Sequence, residues 1–205
     1  LMSKPPKKRQ SDSSAEARNA SISRFPIPPL SAMEPDIRQR IEEVQAKSGF
    51  IPNIFLALAH RPDEFRAFFA LHDSLVDKDE GLSKAEREMI IVVTSALNQC
   101  LYCVIAHGAI LRIRAKDSLL ADKLAVNYLK AELEPRQRVM LDYASKVCMA
   151  ADSIEDEDFE ALEEAGFDQE EIWDIGAIAA LFAMSNRLAN VMSLQPNAEF
   201  YALAR

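Results

Sequence analysis

Apolar residues recur at three- and four-residue spacings along most of the chain after residue 30, a pattern that predicts amphipathic helices rather than strands. Ile37, Ile41 and Val44 form one such stripe between Pro35 and about Lys47, with a proline suited to the first helical turn and Gly49 as a terminator. Pro52 opens a short helix through Ile54, Phe55 and Leu58. Pro62 opens the next, through Phe65, Phe68, Phe69, Leu71 and Leu75, and Gly81 breaks it. Ser83 and Glu86 then make the S-x-x-E pattern of a capping box. The helix they start, with Met89 to Val93, Ala96 and Leu97, is apolar on nearly every side and is expected at the centre of the core. A following helix carries two cysteines and runs to about Arg114. Further helices are expected over residues 117–130, 136–150, 155–165 and 169–192, with Pro135 and the pair Asp168 and Glu171 as start signals. The second half loosely repeats the plan of the first, a polar capped start leading into a long apolar helix from Ile172 to Met192. The expected fold is an all-α helical bundle, compatible with two related helical halves.

Composition agrees. Apolar residues are 49% of 205, and only 5 are glycine, a balance that favours packed helices over tight-turned sheets. The longest unbroken apolar run, Ile175 to Met184, is shorter than the ~20 residues that span a bilayer, so no membrane partner is expected. Residues 1–24 differ from the rest. They are rich in Ser, Lys and Pro and carry a local charge of +4, which leaves -12 on residues 25–205 out of a total of -8. A disordered basic tail is expected over 1–24 and a single helical domain over 25–205. The Lys4 to Arg9 cluster leaves organelle or nuclear targeting open, but no secretory apolar segment is seen near the start, and a cytoplasmic location is expected. The acidic body argues against nucleic acid, whose phosphates need Lys and Arg.

The chemistry concentrates between Glu88 and His107. Eleven residues separate Glu88 from Cys100, two separate Cys100 from Cys103, and three separate Cys103 from His107. On one helix Cys100, Cys103 and His107 share a narrow face, at ~100° per residue. Glu88 would lie about 18 Å from Cys100 on a straight helix, at ~1.5 Å per residue, too far to act on it. A break at Asn98, a good N-cap residue, would let the preceding helix fold back and bring Glu88 to His107. The same break would put Cys100 in a first helical turn, where the positive helix end favours a thiolate.

This pattern, E-x11-C-x2-C-x3-H, resembles the signature of the alkylhydroperoxidase-D (AhpD) family within the carboxymuconolactone decarboxylase-like fold. The surroundings, Asn98-Gln-Cys-Leu-Tyr-Cys-Val-Ile-Ala-His107 and Gly49-Phe-Ile-Pro-Asn53, resemble its peroxidase-related branch. The likeness covers roughly residues 25–205. It implies a thiol-dependent peroxidase or oxidoreductase with no bound cofactor or metal. Cys103 would attack a hydroperoxide. Cys100 would resolve the sulfenic acid to a disulfide and supply a proton to the leaving group. Glu88 and His107 would form a proton relay, and Asn98 and Tyr102 would support the site. Tyr102 stands where the best-studied relatives have a histidine between the cysteines. The resemblance also implies an external dithiol or lipoyl-type reductant and a homo-oligomer.

Other readings of the same residues remain open at this level. The cysteines could be buried small hydrophobes, or with His107 and Glu88 could bind zinc, although the second C-x-x-C of a typical structural zinc site is missing. The chain could be a non-redox carboxymuconolactone decarboxylase-like enzyme, or a non-enzymatic redox sensor. His72 could line a pocket, whereas His60 reads as a loop residue and Cys148 as core.

Overall fold

A computed structural model describes residues 22–205; the expected tail lies almost wholly outside the described residues. Ten α-helices and no strand occur among them. They are α1 (Pro35–Ser48), α2 (Asn53–Leu58), α3 (Pro62–Val76), α4 (Lys84–Leu97), α5 (Leu101–Ala115), α6 (Leu120–Asn127), α7 (Pro135–Met149), α8 (Asp156–Glu164), α9 (Gln169–Met192) and α10 (Ala198–Ala202). Short 3-10 turns precede α1, extend α6 and follow α7.

The punctuation acts as the sequence predicts. Gly49 closes α1 at φ 84°, a conformation that glycine adopts without a Cβ clash. Ser83 and Glu86 cap α4 reciprocally, and Asp168 and Glu171 do the same for α9. Proline sits at the starts of α1, α3 and α7. The short α10 has no counterpart among the predicted elements. At five residues it is too short to show a helical period, and it is held from outside by Arg112, whose guanidinium donates to the carbonyls of Phe200 and Leu203.

Helix α4 lies at the centre, as its all-round apolar pattern requires. Every residue from Arg87 to Ser95 is buried, and the helix packs against α5, α6, α7 and α9. Its one buried cation is fully satisfied: Arg87 donates to the carbonyls of Leu75, Glu80 and Leu82 and to Asp174 of α9. That cluster fixes the start of α4 against the start of α9. The long α9 is, by length and composition, apolar enough to cross a membrane, but half of that stretch is buried inside the fold, where it serves as a core helix. A second layer, α1 to α3, brings Phe55, Phe65 and Phe69 together. A cavity of about 680 Å³ opens between α7, α8 and α9, lined by Tyr143, Ile154, Phe159, Ile172 and Trp173.

Candidate active site

The turn between α4 and α5 builds the site. Asn98 ends α4, Gln99 takes the left-handed conformation (φ 52°), and Cys100 is extended (φ -89°, ψ 99°). The Gln99 amide donates to Ala96 O at 3.0 Å and the Cys100 amide to Ser95 O at 2.9 Å, closing α4 in a Schellman pattern. The break expected here is present, but Asn98 is not the N-cap of the second helix. That position belongs to Cys100, whose Sγ accepts the amide N–H of Cys103 at 3.4 Å. Two residues are needed to reverse the chain after Asn98, so the new helix starts later. Cys100 consequently stands at the cap rather than inside the first turn.

The reversal folds α4 back along α5 and delivers Glu88 to His107. Glu88 is buried, with 1% of its surface exposed, and its Oε2 lies 2.8 Å from His107 Nδ1. That contact makes Nδ1 the donor of a neutral ring and leaves Nε2 for acid–base work. Arg114 approaches the other carboxylate oxygen, Nη1 to Oε1, at 3.3 Å, an ion pair by distance although the N–H is not aimed at the oxygen. Its other arm lies 3.5 Å from Asp77. The edge of Phe182 packs against the His107 ring at 4.8 Å between centroids. His72 of α3 lies 6.4 Å from His107 and hydrogen-bonds Asp73. Burial, followed by the nearby His107, holds its pKa below the usual histidine range.

Cys100 and Cys103 are free thiols, 1% and 3% exposed. They stand side by side at the start of α5, and each thiol's proton affinity depends on the other. Cys100 is the more acidic of the two. The hydrogen bond from Cys103 and the amide N–H at the helix start bring its thiol down to about 7 against the cost of burial. The same contact, together with burial, pushes Cys103 well up. Two side chains of α9 stand beside the pair, Asn186 near both sulfurs and Ser185 near Cys103, and each eases the ionisation of the thiol it faces. Tyr102 is directed to structure. Its hydroxyl accepts the Ile54 amide at 3.3 Å, and burial pushes its pKa far up, so it does not serve as a base. Among the described residues no group of three or more His, Cys, Asp or Glu is arranged to hold a metal ion.

The family model of the carboxymuconolactone decarboxylase family matches residues 62–118, which span α3 to α5 and hold Glu88, Cys100, Cys103 and His107. A peroxidase-related protein from Ralstonia eutropha, described as an alkylhydroperoxidase AhpD core, is 64% identical, with a TM-score of 0.88 over 90% of this chain and 97% of that one. The chain belongs to the AhpD-like branch of the carboxymuconolactone decarboxylase family. A second peroxidase-related member, from Silicibacter sp., is 36% identical over the full length of both chains, with a TM-score of 0.86. The debrominase Bmp8, 21% identical with a TM-score of 0.73 over 91% of this chain and 97% of its own, shares the fold. No curated protein matches the chain.

In this AhpD-like protein the four residues singled out in the sequence meet at one place. Arg114, Ser185 and Asn186 do not stand out in the sequence. Arg114 had a local signal, lying seven residues after His107 and therefore on the same helical face. Ser185 and Asn186 had none, because only the packing of α9 across α4 and α5 brings them in.

Proposed function

We propose that this AhpD-like protein is a thiol-dependent peroxidase that reduces hydroperoxides through Cys100 and Cys103. The observation that carries the reading is a buried carboxylate–imidazole pair beside two adjacent buried thiols, one of them with its pKa brought down to about 7. Zinc or plain core packing would not call for that pair.

The resting proton lies on Cys103, between the sulfurs. For attack it passes to Cys100, and the Cys103 thiolate bonds to the terminal oxygen of the hydroperoxide, breaking the O–O bond and releasing the alkoxide. Cys103 becomes a sulfenic acid, and the Cys100 proton goes to the departing alkoxide, giving an alcohol. Cys100 is then the anion its surroundings favour. It attacks the sulfenic sulfur, forming the disulfide, and the departing hydroxide leaves as water with a proton that His107 Nε2 has taken up from solvent. Glu88 holds His107 in the required tautomer and balances its charge. An external dithiol, such as a lipoyl group, returns the disulfide to two thiols with its own oxidation, and no bound cofactor or metal takes part. The three free cysteines suit a reducing cytoplasm. Assembly into a homo-oligomer belongs to the same reading. The outer face of α9 exposes Trp173, Met184, Leu188 and Val191, more apolar surface than an isolated subunit needs.

Peroxide consumption with a dithiol reductant, followed by mass analysis of the thiols, tests the proposal. Wild type should form one Cys100–Cys103 disulfide per hydroperoxide. Cys103→Ser should abolish turnover, and Cys100→Ser should trap a sulfenic acid on Cys103. A protein that keeps both thiols through hydroperoxide treatment would end it.

A further inference from the structure

The cavity between α7, α8 and α9 is separate from the thiol site, and none of its lining residues belongs to that site. Its volume of about 680 Å³ falls in the range of small-molecule pockets, ~300–1,000 Å³. The walls are chiefly apolar and aromatic. Ile172 is buried, whereas Trp173 is 71% and Phe159 42% exposed, so the cavity opens to solvent between two aromatic rings. Tyr143 of α7 forms part of the wall. It is 9% exposed, and its ring meets Phe159 edge-on at 5.9 Å between centroids. Its hydroxyl has no hydrogen-bond partner among the described residues. A methyl group placed on Gly176, another lining residue, would stand 3.6 Å from that oxygen, so the hydroxyl lies on the cavity side, against α9. An unpaired hydroxyl in a buried residue is unusual, and one that opens onto a cavity is a ready contact for a bound molecule.

The segment bordering the cavity carries charge of one sign. Residues 151–171, which hold α8 and the start of α9, contain eleven Asp and Glu and no Lys or Arg. Among the described residues only Lys146 and Arg136, both of α7, come within ion-pair distance of any of these carboxylates, at Asp158 and Glu171. Glu163 lines the cavity itself and is exposed. Such a border draws in cations and repels carboxylates and phosphates. Aromatic faces attract organic cations further.

We propose that this cavity binds a hydrophobic amine in its ammonium form. The apolar body lies along Phe159, Ile172 and Trp173. The ammonium donates to the unpaired Tyr143 oxygen, with Glu163 and the acidic segment as counter-charge. Copies of the chain can pair through Met184, Leu188 and Val191, farther along α9, without seating anything in the cavity.

Trp173 is the single tryptophan of the chain, so its emission reports on the cavity directly. The full chain is titrated at neutral pH with one apolar body carrying three different heads: 4-phenylbutylamine, 4-phenylbutanol and 4-phenylbutyrate. The amine should change the emission saturably and bind at least about tenfold tighter than the alcohol, with the carboxylate weakest. Added salt should narrow the gap between amine and alcohol. Tyr143→Phe removes only the hydroxyl and should weaken the amine about fivefold. Glu163→Gln, at an exposed position, should lower the preference for amine over alcohol. No saturable response to the amine, or equal affinity for all three heads, would overturn the proposal. So would Trp173 emission already shielded from acrylamide in the ligand-free chain, which would place a second copy or the basic residues 1–21 over the cavity. Should Tyr143→Phe fail to fold, Glu163→Gln decides: an unchanged preference for the amine overturns the proposal equally. Neither variant should alter peroxide consumption, and peroxide inertness of wild type would leave the amine site standing.

Discussion

Replacing Glu88 by Gln tests the relay with little change of shape. The glutamine oxygen can still accept from His107 Nδ1 at the 2.8 Å spacing seen for the carboxylate, so ring orientation is preserved. The negative charge is lost. In the native site that charge is 1% exposed and faces a ring that becomes cationic on taking up a proton. A hydrogen bond to a charged group contributes about 1.5–3 kcal/mol and a neutral one about 1 kcal/mol. The imidazolium therefore loses about 0.5–2 kcal/mol of stabilisation relative to the neutral ring, a rate loss of about two- to thirtyfold in steps where His107 is charged. Arg114 also loses its contact at 3.3 Å but keeps Asp77 at 3.5 Å, so the fold should survive. Stopped-flow measurement of disulfide formation after mixing with excess hydroperoxide is the assay. A Glu88→Gln protein reacting within about twofold of wild type would refute the charge argument. Loss of reaction together with loss of helical signal would show a structural role instead.

Gln99→Gly should raise thermal stability, because Gln99 is an exposed non-glycine residue at φ 52°, a conformation that costs an L-residue about 1 kcal/mol; a calorimetric midpoint a few degrees higher is expected, and a lower one would remove strain from the account of the turn. Cys100 is depressed to about 7 from an unfolded value of 9.0, so its contribution is complete above pH 9.0 and fades as pH falls toward 7. Cys103 is raised and acts in the opposite sense above its unfolded value of 9.0. The denaturation midpoint of the reduced protein should thus climb between pH 7 and 9.0 and turn down beyond, and Cys100→Ser should flatten the climb in urea titrations. Trp173→Glu combined with Met184→Glu places charge on residues 71% and 45% exposed and should shift sedimentation toward monomer without unfolding; an unchanged sedimentation coefficient would place any interface elsewhere.

Helix identities were legible because the signals are local. The proline starts, the paired caps at Ser83 and Asp168 and the glycine after α1 each act within one turn. The central place of α4 was legible for the same reason, since Met89 to Val93 leave it no solvent face. The turn itself was only half legible. Asn98 is a common cap residue and Cys100 is not, so residue preference favours the wrong one; Cys100 takes the cap because the Cys103 N–H reaches its sulfur. The α9 residues could not be read at all. Nothing local at Asn186 distinguishes it from a helix-surface amide until Thr94, Asn98 and Ser95 are seen around it.

The two sulfurs are closed off from bulk solvent, and the Cys103 amide already reaches Cys100 Sγ. Once one of them carries oxygen, its neighbour competes against any second oxidant molecule at an effective concentration no free solute can match. On the proposed reading, over-oxidation to sulfinic acid, which would end the working life of the molecule, would be outrun by ring closure. A catalyst built in this way should tolerate bursts of oxidant that outlast its supply of reductant, waiting in the disulfide form until electrons return.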